Sequence, residues 1–222
     1  MNVLHFMQQF FSDGAHWHGY DGIPTRLREH VQYSLLALVI AAVIGLPVGL
    51  ITGHTGRGGN SLAFIATAGR ALPSFGLLVL MFVLLGLGHL PVMIPLVVLA
   101  VPPILVTTYE AMRSVDPAPV DAARGMGMAE GRILFRVELP VALPLILSGL
   151  RSAAIQIVST ATIAAYVSLG GLGRYIVDGL YQRNYEKVVG GATLVAVLAL
   201  VTLGFFWVVH RVAVSPGVRR GN

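Results

Sequence analysis

Residues 109–140 read YEAMRSVDPAPVDAARGMGMAEGRILFRVELP, the longest charged and helix-compatible run in a chain that is otherwise almost all hydrocarbon. Asp116-Pro117 opens a helix, because a short polar side chain ahead of a proline suits the cap and first-turn positions. Val120-Asp121-Ala122-Ala123-Arg124 reads as that short helix. Gly125 and Gly127 interrupt it, since glycine weakens helices and admits backbone angles that turn the chain. Met128 to Val137 gives a second short amphipathic run, with Ile133, Leu134 and Val137 on one face and Glu130, Arg132 and Arg136 largely elsewhere. Leu139-Pro140 closes the stretch where the next long apolar run begins.

Over the whole chain only 11% of residues are charged, against roughly 25% in soluble domains. Runs near ~20 apolar residues separated by short polar loops are the signature of a polytopic helical membrane protein. The fold class expected is therefore all-α, a membrane bundle of about five spans. They are placed at Val31–Thr52, Ala71–Leu87, Leu90–Met112, Val141–Val167 and Val188–Val209. Residues 1–30 form an extracytoplasmic or interfacial lead-in, 31–212 the membrane domain with its loop at 113–140, and 213–222 a basic tail. The lead-in places Val3, Phe6, Met7 and Phe10 on one helical face, which suits a helix lying in the interface. With no Lys or Arg ahead of that apolar start, a cleaved signal peptide is not expected.

Two spans contain features beyond bulk hydrophobicity. Pro91, Pro95 and Pro102-Pro103 are expected to bend or break the third span, freeing carbonyls and flagging Thr107, Thr108 and Tyr109 beside a pathway. The fourth carries small residues (Ser148, Gly149, Ser152, Ala153 and Ala154) that permit close helix contact in lipid. Ser152, Gln156, Ser159 and Thr160 fall at i, i+4, i+7 and i+8, a polar stripe suited to lining a path or to bonding neighbouring helices. Arg151 beside that stripe is expected to snorkel or pair, and Arg70 to sit at headgroup level.

The order Asp121-Ala122-Ala123, Gly127, Val137 and Leu139-Pro140 resembles the EAA loop of permease subunits in binding-protein-dependent ABC importers. Asp stands for Glu at its start and Val for Ile near its end. The resemblance implies that this loop couples to the cytoplasmic ATPase. From His30 to Gly191 the chain resembles the osmoprotectant branch of that superfamily, which handles glycine betaine, carnitine and choline. Leu72-Pro73-Ser74, Val115-Asp116-Pro117, Ala122 through Met128, Val137-Glu138-Leu139-Pro140 and Gly170-Gly171-Leu172-Gly173 carry that likeness. It implies two ATPase subunits that bind ATP and magnesium, a second permease chain, identical or homologous, and an extracytoplasmic binding protein. No cofactor is implied in this chain itself. Another small solute, such as an amino acid or a sulfonate, is the alternative cargo.

Other chemistries lack their residues. Gly53 to Asn60 has Gly59 where a phosphate loop needs lysine, and Gly171 to Gly173 lacks the third glycine of a dinucleotide fingerprint. His16-Trp17-His18 has no third ligand at metal-binding spacing. Ser159 and His210, the tempting hydrolase pair, fall at different depths of their spans. Glu110 and Glu138 lie near the inner surface rather than mid-span, where a self-powered transporter would need its carboxylates. The scattered arginines point to membrane orientation and not to nucleic acid. With the Asp121 loop inside, Arg57, Arg113, Arg124, Arg132, Arg136, Arg211, Arg219 and Arg220 fall inside as well. The charge bias sets the amino terminus outside and the carboxyl terminus in the cytoplasm, and the resemblance implies that the membrane is a bacterial inner membrane.

Overall fold

The computed structural model describes residues 2–167 and 169–214. The expectations for the Arg70 side chain, Arg219, Arg220 and the tail from 215 onward lie outside the described residues. Described secondary structure is helical throughout: α1 (Val3–Ser12), α2 (Ile23–Thr55), α3 (Gly59–Ala71), α4 (Ser74–Leu85), α5 (Leu90–Arg113), α6 (Pro117–Gly125), α7 (Glu130–Ile133), α8 (Leu139–Ala161), α9 (Gly173–Gln182) and α10 (Tyr185–Ala213). A π-helical turn at Leu134–Glu138 joins α7 to α8, and a 3-10 turn at Thr162–Val167 follows α8. Four helical segments among the described residues are long and apolar enough to cross a membrane, and α3 with α4 makes a fifth span if taken together.

The centre of the bundle is α2, α5 and α8, with α3–α4 laid against α5 and α10 against α8, α9 and α1. Along α2 the buried residues are Ile23, Arg26, His30, Ser34, Ala37, Ala41, Gly45, Gly49 and Gly53, a stripe stepping three or four residues at a time. Its inner half is made only of alanine and glycine, so the α2 and α5 backbones approach closely. A Cβ at Gly49 would stand 2.7 Å from the Cβ of Thr108. In lipid the tails solvate leucine as well as another helix does, so association depends on such van der Waals contact. The large side chains of α2, such as Val43, point outward instead.

One expected break is not found, and one span is corrected. Of the bend or break expected in the third span, the break does not occur: α5 runs unbroken from Leu90 to Arg113 despite Pro95, Pro102 and Pro103. Each proline removes one helical N–H, but α2, α8 and the α3–α4 pair hold the helix on several sides. The second span is not one helix over Ala71–Leu87: α3 and α4 meet at 85°, with Leu72-Pro73 at the corner. At 12 residues, α4 is about 18 Å long, short of the ~30 Å hydrocarbon core. Proline at 73 and the disfavoured helical state of the residue before it explain the corner.

At the opposite end α1 docks rather than merely lying on a surface. Phe10 is fully buried, stacked on His16 at 4.2 Å and edge-on to Tyr175 at 5.2 Å. Trp17 Nε1 donates to Phe11 O at 3.0 Å, and His16 Nδ1 lies 2.9 Å from Phe10 O.

Candidate functional site

Two regions concentrate polar groups: the 113–140 loop and a cavity between α3–α4, α5 and α8. In the loop, the Asp116 side chain accepts from Ala118 N at 3.0 Å and Pro117 takes the first helical turn, so α6 starts where a polar cap meets a proline. α6 ends in a paired reverse closure. Met128 N donates to Ala123 O at 3.0 Å and Gly127 N to Arg124 O at 2.9 Å, with Gly127 at φ +80°. This is the Schellman arrangement, which needs a left-handed residue where Gly127 stands.

Below that turn Val120, Ala123 and Ile133 form a small buried core, flanked by Val115, Met128 and Val137. Ala123, in the segment whose resemblance implies coupling to the ATPase, is 3% exposed and buried inside the loop itself. Asp121, Ala122 and Gly127 face out. Leu139 packs beside Ala111, Met112, Ala142 and Ile146, and Pro140 lies in the first turn of α8. Leu139 thus anchors the loop to the bundle and Val137 packs within the loop's own core, while Asp121, Ala122 and Gly127 remain presented. Met126 is 77% exposed at the tip.

A ladder of charges braces the loop. Arg124 donates to both carboxylate oxygens of Glu130, at 2.8 and 3.1 Å, and to Asp121 at 3.3 Å. His54, in the last turn of α2, lies 3.2 Å from Glu130 Oε2 through Nε2 and 2.5 Å from Glu138 Oε2 through Nδ1.

The cavity has a volume of about 510 Å³ and is lined from α3–α4 by Ala66, Gly69, Leu72 and Ser74. α5 contributes Leu99, Pro102, Pro103, Val106, Thr107 and Glu110, and α8 contributes Ser152, Gln156 and Thr160. Of the residues singled out from sequence, Thr107, Gln156 and Thr160 meet here. Thr108 does not: it is fully buried, donates to Ile104 O at 2.7 Å and faces α2. Ser159 is exposed and is not among the cavity's lining residues. The α3–α4 contribution was missed because it depends on the corner at Leu72-Pro73. The Thr107 hydroxyl donates to Pro103 O at 2.5 Å and that of Ser152 to Ser148 O at 3.0 Å. With their protons so engaged, both oxygens are left to act as acceptors. No Phe, Tyr or Trp is among the described lining residues.

At the end of α2 away from the loop, its amino-terminal turns hold the turn before α9. Glu29 Oε2 accepts from Gly171 N at 2.7 Å and His30 Nδ1 from Leu172 N at 3.3 Å. Arg26 pairs with Glu29 at 2.9 Å and also contacts Asp21. Tyr175 OH donates to Asp21 O at 2.5 Å.

Residues 45–220 match the model of a protein family described as binding-protein-dependent transport system inner membrane component. The choline transport system permease protein OpuBB of Bacillus subtilis is 33% identical over 192 residues, covering 86% of this chain and 88% of its own. The osmoprotectant import permease protein OsmW of Salmonella typhimurium is 31% identical over 219 residues, covering 96% of each. Among solved structures, the inward-facing MetNI methionine ABC transporter matches with a TM-score of 0.73 at 24% identity, over 85% of this chain and 94% of that one. An amino acid ABC transporter matches with a TM-score of 0.68 at 18% identity, over 95% and 98%. At those identities the solved structures speak for the fold. The sequence relatives and the family match decide membership: this chain belongs to the binding-protein-dependent transport system inner membrane components, the permeases of ABC importers.

Proposed function

We propose that this permease forms the membrane path for a quaternary ammonium osmoprotectant such as glycine betaine, choline or carnitine. It is driven by two partner ATPase subunits that bind ATP and magnesium, works beside a second permease chain, and receives its solute from an extracytoplasmic binding protein. The observation that carries the substrate class is the relatives themselves: choline, carnitine and osmoprotectant permeases at 31–33% identity over most of the chain.

The geometry is consistent with that cargo. A quaternary ammonium group donates no hydrogen bonds and is attracted to electron-rich surface. The cavity offers acceptor oxygens of Thr107 and Ser152, the Gln156 amide, Thr160 and the Glu110 carboxylate. Without an aromatic cage, such a path holds a cation weakly, so selection falls to the binding protein. Asp121, Ala122 and Gly127 present the ATPase-facing surface, with Ala123, Val137, Leu139 and Pro140 holding its shape. The chain enters from outside and ends in the cytoplasm. Reconstitution of the complete importer in vesicles tests this reading. Uptake of labelled glycine betaine, choline or carnitine, dependent on ATP and on the ATPase subunits, is expected. Uptake inhibited by amino acids and by none of the three rejects the substrate class and leaves the permease role intact.

A further inference from the structure

We propose that His54 is a positioning residue that locks the coupling loop to α2 and carries the loop's displacement into that helix. Beside an apolar cluster shared by Leu46 and Leu50 of α2 with Val115, Leu134 and Leu139, the loop reaches α2 through charged side chains. Arg124 on α6 grips Glu130, Glu130 contacts His54, and His54 also contacts Glu138 at the far end of the 130–138 segment. Glu138 is only 6% exposed, and its contact to His54 spans 84 residues of sequence. One imidazole therefore closes the segment at both ends, with one ring nitrogen toward each carboxylate. Arg113 and Arg124 lie around the same pocket as Glu138 and supply balancing positive charge.

α2 is suited to carry what His54 receives. It runs 33 residues without interruption, about 50 Å. Its alanine and glycine stripe keys into α5, so it moves with the cavity wall rather than past it. At its outer end Glu29 and His30 hold the backbone of Gly171 and Leu172. A push on α6 is thereby referred to both ends of the bundle through one rod. Without His54 the loop would still be joined to α5 and α8 by the chain, but the contacts from Glu130 and Glu138 to α2 would be gone.

This inference rests on the coupling role proposed for the 113–140 loop. Its test uses the complete importer in vesicles, with labelled choline and ATP hydrolysis measured together. His54→Ala is expected to insert, to retain its ATPase subunits and to keep basal hydrolysis. Choline moved per ATP should fall about fivefold or more, the size of an ordinary coupling energy. His54→Gln, whose amide can donate to one carboxylate, should recover part of that ratio. The double variant His54→Ala, Glu138→Ala should be no worse than His54→Ala alone, as for two members of one contact. An unchanged ratio in His54→Ala overturns the inference, as does a loss of transport that merely follows lost assembly. If the unsubstituted importer hydrolyses ATP with no stimulation by its binding protein, the coupling reading falls and takes this inference with it.

Discussion

Gly49 of α2 and Thr108 of α5 face each other so closely that a single added Cβ would stand 2.7 Å from the Thr108 Cβ and 2.8 Å from the Leu105 carbonyl oxygen. Real Cβ atoms do not approach backbone oxygen that closely, so this contact exists only because residue 49 has no side chain. The same contact decides where Thr108 points. Its hydroxyl turns back onto Ile104 O and its methyl meets α2, which leaves Thr107 as the α5 threonine that faces the cavity.

Gly49→Leu should therefore separate α2 from α5. Overpacking a tight contact costs about 1–3 kcal/mol, more where backbone must move, and both helices border other packed elements. The expected result is a lower thermal midpoint of the purified chain and reduced accumulation in membranes, with Gly49→Ala intermediate. A Gly49→Leu variant as stable as the unsubstituted chain would show that α2 and α5 do not pack in this register.

Gly127 is constrained for the opposite reason. Nothing lies within 4 Å of where its Cβ would be, yet its φ is +80°. The Cβ of a residue placed there meets no neighbour, so the cost expected is the left-handed penalty, about 1–2 kcal/mol. Gly127→Val should open the Schellman closure and reduce stimulated ATP hydrolysis, whereas Gly127→Asn, which tolerates that conformation, should retain most of it. Equal loss in both variants would indicate that the surface at 127, and not its backbone, matters.

The loop was legible from sequence because its signals are local. A cap at Asp116, a proline at 117 and a glycine at 127 each act within a few residues. The stripe on α2 was not legible as a packing face, since Ala37, Ala41, Gly45 and Gly49 look like part of any apolar run until a partner helix is known. The polar stripe on α8 was half readable. Helical spacing groups Ser152, Gln156 and Thr160 with Ser159, but only the position of α5 decides that Ser159 falls off the cavity edge. His54 was unreadable in principle, because its partner lies 84 residues away.

Tyr175 links α9 to the segment before α2, and burial pushes its phenol up to about 12, with nearby Arg26 opposing. The protonated phenol is the form that donates to Asp21 O. Its folded value is above that of an unfolded tyrosine, so its contribution is complete below about pH 10 and is lost as pH rises through about 12. Chain stability measured across that window should decline, and Tyr175→Phe should flatten the tyrosine-dependent part of the decline. An identical slope in the variant would show that the Tyr175 contact to Asp21 contributes nothing to stability.

The chain contains no cysteine, so single introduced thiols report topology without background. Asp13 and Arg124 are both accessible, their side chains 54% and 43% exposed. Asp13→Cys should react with an impermeant reagent applied to intact cells, and Arg124→Cys only after the membrane is opened. Labelling of position 124 from outside would invert the proposed orientation and remove the loop from reach of a cytoplasmic ATPase.

The cavity makes a prediction that depends on charge rather than shape. Glu110 is the acidic residue among its described lining groups, on the same helix as Thr107 and across from Ser152, Gln156 and Thr160. A cation passing through loses part of its hydration, and a carboxylate at the wall offsets some of that loss, whereas an ammonium there would oppose entry. Glu110→Lys should therefore depress choline uptake about tenfold, equivalent to ~1.4 kcal/mol, in vesicles holding the complete importer. Uptake of zwitterionic glycine betaine should suffer less, because its carboxylate is attracted where its ammonium is repelled. Gln156→Leu removes a polar contact without changing charge and should slow both solutes alike. If Glu110→Lys affects the two equally while stimulated ATP hydrolysis is retained, the solute does not pass this wall.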